Sequence, residues 1–473
     1  MNSPSSPAAA LPRIVPGRTP KPHFLDGIAA RAARARLRGL RHGRITLLER
    51  GARHEFGVRS ARCLLSATVE VHDPRFWSEL AFGGSIGAGE AYMAGYWSTD
   101  DLTALVRILL ANREVLDGME SGLARFTAPL QKALHWANRS TRAGARRNIA
   151  AHYDLGNDFF ALFLDPTMMY SCALFERPGM TLEEAQRARL ARICEKLDLR
   201  PGEHLLEIGT GWGAMAIHAA ANHGCRVTTT TISREQYELA RERVAAAGLS
   251  DRVTLLLEDY RDLRGRYDKL VSLEMIEAVG HPFFDSYFAQ CGRLLEDDGL
   301  MLLQAIAIAD QRYESARLSV DFIQRHIFPG STIPSITAML ASITASSDMK
   351  LVDLEDIGPH YATTLRHWRQ NFLAGLDEVR ALGYPESFIR MWEFYLCYCE
   401  GGFEERALGD VQMLLAKPGN RRAPRAWRAQ AAKDWLVAKG GVPAERVFLV
   451  APKLDAEGIK DKGKPERVDF SLK

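Results

Sequence analysis

The chain has 473 residues, 47% hydrophobic and 25% charged, with 61 Lys and Arg against 58 Asp and Glu for a net charge of +3. That length and balance fit a well-cored protein of two or three domains and exclude both a disordered chain and a single small module. No run of about 18 uncharged apolar residues occurs, which excludes a bilayer-crossing helix; the seven cysteines lack paired metal spacing and point to reduced thiols, no metal site and a cytoplasmic protein.

Residues 1–22 are rich in Pro, Ser and Ala without an apolar signal core and read as a flexible lead. Arg31, Arg34, Arg36, Arg38, Arg41 and Arg44 then interleave with Ala and Leu. A solvated helix face and a patch for anionic phospholipid headgroups, at roughly 1 kcal/mol per charge, explain them equally well. Nucleic acid is disfavoured because no stacking aromatics accompany the arginines. Residues 45–51 and 54–57 suggest a hairpin, 67–71 alternate like a further strand, and 76–82, 89–94 and 102–111 carry helical spacing with a glycine-rich bend at 83–89. Together 23–138 make a small α+β N-terminal domain, followed by an arginine-containing linker at 139–147.

From 148 to 420 the pattern predicts one doubly wound α/β domain with a mostly parallel sheet. Strands are expected at 204–208, 226–233, 253–257, 269–273, 301–306, 351–357 and 410–415, separated by helical stretches. Thr181 with Glu184, and Ser233 with Gln236, have the spacing of capping boxes. The first of these opens a helix with Leu190, Ile193, Cys194 and Leu197 on its apolar face. An aromatic and apolar insertion at 309–347 is long enough to form a lid over a greasy substrate. Residues 421–473 shift to a basic helix-like run, a short strand and a charged tail, and carry no functional signal.

The chemistry concentrates where the first strand of this domain ends. Gly209, Gly211 and Gly213 in Gly-Thr-Gly-Trp-Gly follow His-Leu-Leu-Glu-Ile and precede a helix, so backbone can approach a ligand at a strand-to-helix switch. A dinucleotide site wants an acid about 20 residues further on, but the second strand reads Arg-Val-Thr-Thr-Thr-Thr-Ile-Ser, which disfavours NAD. The acids lie elsewhere: Glu207 just before the turn, placed for a methionine amino group, and Glu258 and Asp259 after the third strand, placed for an adenosine. This is the layout of an S-adenosylmethionine site. Tyr170, Ser171, Thr231 and Gln236 complete the expected cofactor set, although Gln236 has a rival explanation as a mere helix cap.

Six segments in order name a family. Residues 152–160 (His-Tyr-Asp-Leu-Gly-Asn-Asp-Phe-Phe), Tyr170-Ser171-Cys172, the glycine turn, 259–262 (Asp-Tyr-Arg-Asp), 327–330 (Ile-Phe-Pro-Gly) and 361–365 (Tyr-Ala-Thr-Thr-Leu) resemble the landmarks of the cyclopropane-fatty-acyl-phospholipid synthases, over about residues 45–420. The resemblance implies a Rossmann-like class I methyltransferase fold with a smaller α+β N-terminal lipid-associated domain. It implies an enzyme acting at the inner face of the cytoplasmic membrane on unsaturated acyl chains of phospholipids, and leaves room for a homodimer. In such enzymes the alkene takes a methyl from S-adenosylmethionine, and a bound bicarbonate removes the proton whose loss closes a cyclopropane ring. The bicarbonate holders map to Cys172, Glu277, Gln304, Ile306 and Tyr361, with Glu277 orienting the ion. An apolar tunnel keeps water from the cation, a part to which Phe159 and Phe160 are suited.

Two departures stand out. Many bacterial members have His where this chain has Gln304, and Phe-Glu-His where it has Ile276-Glu277-Ala278. A branch including plant cyclopropane synthases is similar to the forms found here, so ring closure is retained as the leading expectation. A methyl- or methylene-branching C-methyltransferase is the alternative, and an idle lipid-binding scaffold the second. Cys399 matches a cysteine that the family counts as active; since the alkene is the nucleophile, the expected role is a pocket-lining thiol, with Cys397 pointing away.

Overall fold

The computed structural model describes residues 24–120, 144–145, 155–421, 437–438 and 443. Met1–Asn420 form one compact unit and Arg421–Lys473 another, the latter almost wholly outside the described residues. The expected flexible lead, most of the arginine linker and the C-terminal tail also lie outside them.

The described chain opens with the helix Phe24–Leu37, which turns Ala29, Ala30, Ala33 and Leu37 inward and leaves Phe24, Leu25 and Ile28 exposed. A four-stranded sheet follows in the order β2-β1-β3-β4, from β1 (Arg44–Glu49), β2 (Ala52–Phe56), β3 (Ser66–Val71) and β4 (Trp97–Thr99). The β1–β2 hairpin turns through Arg50 and Gly51, both at positive φ (49° and 79°), as a two-residue turn matched to strand twist requires. The helix Arg75–Met93 bends at Gly84, whose φ of 58° and ψ of −135° are open to glycine alone. Its second half carries Gly89, where an added Cβ would lie 2.4 Å from a ring carbon of Phe322.

The large sheet runs β10-β11-β9-β8-β5-β6-β7, with β5 His204–Ile208, β6 Arg226–Thr230, β7 Val253–Leu256, β8 Tyr267–Leu273, β9 Leu295–Ile308, β10 Lys350–Asp356 and β11 Leu408–Ala416. Five strands are parallel, while β11 runs antiparallel to both β9 and β10. The chain leaves β5 towards β6 and β7 on one side, then returns to place β8 on the other. The carboxyl ends of β5 and β8 therefore flank the switch point at which open α/β sheets bind ligands.

The Thr181 capping box forms as expected, with Thr181 and Glu184 each accepting the other's backbone N–H. The second box forms only by half. Ser233 accepts the Gln236 N–H, but the Gln236 side chain turns away and accepts from Thr231 Oγ1 at 2.9 Å. The insertion is three helices, Asp310–Arg317, Phe322–His326 and Ile336–Ser346. Its last helix packs on Phe284–Leu294 beside the sheet, so only the earlier part borders the site. Phe159 and Phe160 are fully buried in an aromatic core with Phe163 and Trp392, a correction to their expected place in a tunnel wall.

Helix Glu386–Glu404 packs against two of the N-terminal helices, Arg75–Met93 and Leu102–Ala111. Tyr92 O–H donates to Glu393 at 2.6 Å, Arg107 pairs with Glu405 at 2.8 Å, and a Cβ on Gly401 would fall 2.7 Å from Val106. Among the described residues no helix is long and apolar enough to cross a membrane.

Candidate active site

One cavity of about 1160 Å³ runs from the small sheet to the switch point. At one end Leu47, Val69, Trp77 and Leu105 line it; at the other end it reaches Gly209, Thr210 and Gly211. Its walls are mostly hydrocarbon and aromatic, and Tyr170, Phe328, Tyr361, Tyr395 and Phe403 surround the middle. Tyr170 and Tyr395 share a hydrogen bond between hydroxyls at 2.9 Å, and Tyr361 stacks on Phe403 with centroids 4.4 Å apart.

At the glycine turn, Gly209 has φ 103°, and a Cβ there would stand 3.3 Å from Met275 Cγ. Gly213 lies outside the cavity lining. Its missing side chain instead lets Ala240 approach, since an added Cβ would meet that residue at 3.3 Å, and this corrects its expected cofactor contact. Glu207 and Ser171 both face the cavity: one Glu207 oxygen accepts from Thr229 Oγ1 at 2.7 Å, while the buried Ser171 Oγ has no hydrogen-bond partner among the described residues. Thr231 and Gln236 line the same end. Asp259 is held by Arg261 through two bonds of 2.7 and 2.6 Å and caps the following turn, so Glu258, exposed at the rim, is the acid left open there. An open glycine backbone, an orphaned buried hydroxyl and a buried carboxylate fit the polar ends of S-adenosylmethionine.

The five residues expected to hold bicarbonate do come together, but around a residue that was not anticipated. Glu274, the first residue after β8, puts its carboxylate in their midst. Cys172 N–H donates to its Oε1 at 2.9 Å, Gln304 Nε2 to the same oxygen at 2.7 Å, and Tyr361 O–H to its Oε2 at 2.7 Å. Ile306 N–H donates to Glu277 Oε1 at 2.6 Å, and Glu277 Oε2 is buried without a hydrogen-bond partner among the described residues. Glu274, Glu277, Ile306 and Tyr361 line the cavity, whereas Cys172 and Gln304 are fully buried behind Glu274. The donors expected to hold bicarbonate thus already bind protein carboxylates, and the residues do not fit a second anion.

Behind Glu274 lies a polar network that the sequence reading missed. The Gln304 amide uses all four of its hydrogen-bonding positions: Nε2 also donates to Asp410 at 2.9 Å, and Oε1 accepts from Arg189 at 3.3 Å and Gln412 at 3.1 Å. Burial and the neighbouring Glu274 and Glu277 hold the Asp410 carboxyl well above the usual carboxylate range. Burial pushes the Cys172 thiol up as well, reinforced by Asp410 and Glu274. Cys399 lines the cavity while Cys397 does not, and burial raises its thiol too, which disfavours the thiolate. Away from the cavity, Cys194, His218 and His223 bring three ligand-capable atoms within 4.8 Å of one another, with burial lowering His218 to about 4.

Glu207 and Glu277 are both pushed up to about 8 from 4.5, by burial first and, for Glu277, by Glu274 next. Each carboxyl keeps in the folded chain a proton that the unfolded chain has released between pH 4.5 and 8. Stability therefore falls as pH rises through that window, by at most about 1.4 kcal/mol per pH unit for each group. Urea titrations near the two ends of the window should show Glu277→Gln with a shallower loss than wild type; parallel losses would contradict this assignment.

Residues 140–413 match the model of a family described as mycolic acid cyclopropane synthetase. The tuberculostearic acid methyltransferase UfaA1 of Mycobacterium tuberculosis is 43% identical over 343 residues, covering 71% of this chain and 80% of its own. The cyclopropane-fatty-acyl-phospholipid synthase of Escherichia coli K12 is 38% identical over 361 residues, covering 73% of this chain and 86% of its own. Among solved structures, the mycolic acid cyclopropane synthase CmaA1 complexed with SAH and CTAB aligns with a TM-score of 0.54 at 33% identity, over 57% of this chain and 98% of that one.

Proposed function

The chain belongs to the mycolic acid cyclopropane synthetase family, and from that premise we propose that it transfers the methyl carbon of S-adenosylmethionine to the double bond of an unsaturated phospholipid acyl chain, closing a cyclopropane ring. The observation that carries this reading is an apolar cavity of about 1160 Å³ that reaches both the glycine turn and the Glu274 and Glu277 carboxyl groups. When bound, S-adenosylmethionine supplies an electrophilic methyl group on a sulfonium.

This chain's residues do the rest. Ser171, the Gly209–Gly211 backbone, Thr231 and Gln236 hold the polar ends of the cofactor, with Glu207 at the amino group and Glu258 at the rim. The hydrocarbon walls position the alkene and exclude the water that would quench a carbocation. Tyr170, Tyr361 and Tyr395 present aromatic faces and oxygens to the positive charge as it develops. The same geometry serves a second reading, a methyl- or methylene-branched product, favoured by the 43% identity to a protein named as a methyltransferase. Bicarbonate is assigned no step.

Residues 23–138 are read as the part that meets the bilayer. Phe24 is 80% exposed and Leu25 55%, on a helix that also exposes Arg31 and Arg36, an arrangement suited to lying in an anionic lipid surface.

Purified protein given methyl-labelled cofactor and vesicles of unsaturated anionic phospholipid should transfer label to the fatty acids with a gain of one CH2. Proton NMR of the product separates a ring, with its upfield signals, from the isomeric methylene chain; no label in any lipid overturns the reading. Replacing Phe24, Leu25 and Ile28 with serine should weaken vesicle sedimentation by about tenfold or more, since each large apolar side chain buried in lipid contributes about 1.5–3 kcal/mol, while activity on detergent-dispersed lipid stays close to wild type.

A further inference from the structure

We propose that Glu274 is the built-in proton acceptor of this site, its carboxylate filling the anion seat that would otherwise hold bicarbonate; the inference rests on the methyl-transfer reading above. Three donors hold the Glu274 carboxylate, a backbone N–H from Cys172, the Gln304 amide and the Tyr361 hydroxyl, and the Asp410 carboxyl, raised by burial, shares a further hydrogen bond with it. The fourth donor of the seat, Ile306 N–H, is bound to Glu277. A free anion entering here would displace a tethered one. The seat is therefore complete without it.

The backbone points the same way. Glu274 has φ 50°, a left-handed conformation that strains a side chain of this kind, and its N–H is pinned to Gln304 O at 2.8 Å. That strain aims the carboxylate at the end of β8, where it lines the cavity within reach of the three donors. Gln304 passes the field of the fully buried Arg189 guanidinium to the same oxygen, since its carbonyl accepts from Arg189 while its amide donates to Glu274.

The step balances without an added base. The alkene π pair forms a bond to the methyl carbon as that carbon's bond to sulfur breaks, its pair staying on sulfur, and the adjacent alkene carbon becomes cationic. A C–H bond of the transferred methyl then breaks. Its pair closes the ring and its proton passes to a Glu274 oxygen, from which it leaves to solvent after product release. A carboxylate is ample base for so acidic a proton, and its charge opposes the cation throughout.

The test uses the labelled-vesicle assay in buffer stripped of carbon dioxide under argon. Wild type is expected to keep its rate whether or not bicarbonate is restored. Glu274→Gln, nearly the same size but a poor base, is expected to lose about 10²–10⁴-fold in turnover with cofactor binding retained by calorimetry. Glu274→Gly opens the seat and relieves the strained φ, and its residual rate is expected to rise saturably with added bicarbonate or formate. Bicarbonate dependence of wild type, or a Glu274→Gln enzyme with unchanged turnover, overturns the inference while leaving methyl transfer standing. Absence of label transfer by wild type overturns the methyl-transfer reading and this one with it.

Discussion

Gly209→Val is expected to abolish measurable S-adenosylmethionine binding, a loss of about 100-fold or more, equivalent to about 3 kcal/mol. At φ 103° a β-branched residue is strained by about 1–3 kcal/mol, and its Cβ stands 3.3 Å from Met275 while the rest of the side chain fills the approach to the turn. Calorimetry with the cofactor reads the effect directly. Circular dichroism and retained vesicle binding through the Phe24–Leu37 helix check that the fold survives, since that helix lies in the N-terminal segment and does not touch the turn. A variant that is folded and still binds the cofactor with wild-type affinity would remove the turn from the site.

Gln304→Ala is expected to produce the largest loss of stability, about 3–5 kcal/mol, the range for removing one partner from a buried charged network. Four groups lose their contact at once: Arg189, Gln412, Asp410 and Glu274. Gln304→Glu keeps the shape but replaces the amide donor with an acceptor facing two carboxyl groups, and should be at least as damaging. Urea midpoints for the two variants separate shape from hydrogen-bond direction. Should Gln304→Glu match wild type, the network would not depend on the amide as described.

Much of the architecture could be read from the chain. The strand positions of the large domain emerge from apolar runs between helical stretches, and Thr181 with Glu184 announced a helix start that the structure realises in full. The glycine turn was legible because a strand, a turn and a helix succeed one another in a fixed order. What stayed hidden depends on contacts between distant segments. Phe159 and Phe160 are apolar wherever they lie, so nothing local separates a tunnel wall from a core. Gly213 looked like part of the ligand cradle because only the partner helix shows what its missing side chain admits.

Glu274 is the instructive miss among the site residues. Alternation along β8 assigns faces only while the backbone stays extended, and it leaves that region at this residue. One signal was nonetheless available. Gln186 and Arg189 fall on the same helical stripe as Leu190, Ile193 and Leu197, and Asp410 lies within an otherwise mostly apolar strand; polar and charged groups at core-facing positions call for partners. Tracing what Arg189 and Asp410 could bind would have led to Gln304 and from there to Glu274.

The cavity joins two sheets, and only one of them falls, but for the last residues of β11, within residues 140–413, the span shared with the family. The far wall, with Leu47, Val69, Trp77 and Leu105, belongs to the other. On the proposed function, reach and chemistry are thus written in separate stretches of polypeptide: one would gauge how deep a fatty tail can thread, and the other would decide what happens to it. Recarving the gauge with bulkier or smaller residues should change which tails are accepted while leaving the reaction itself untouched.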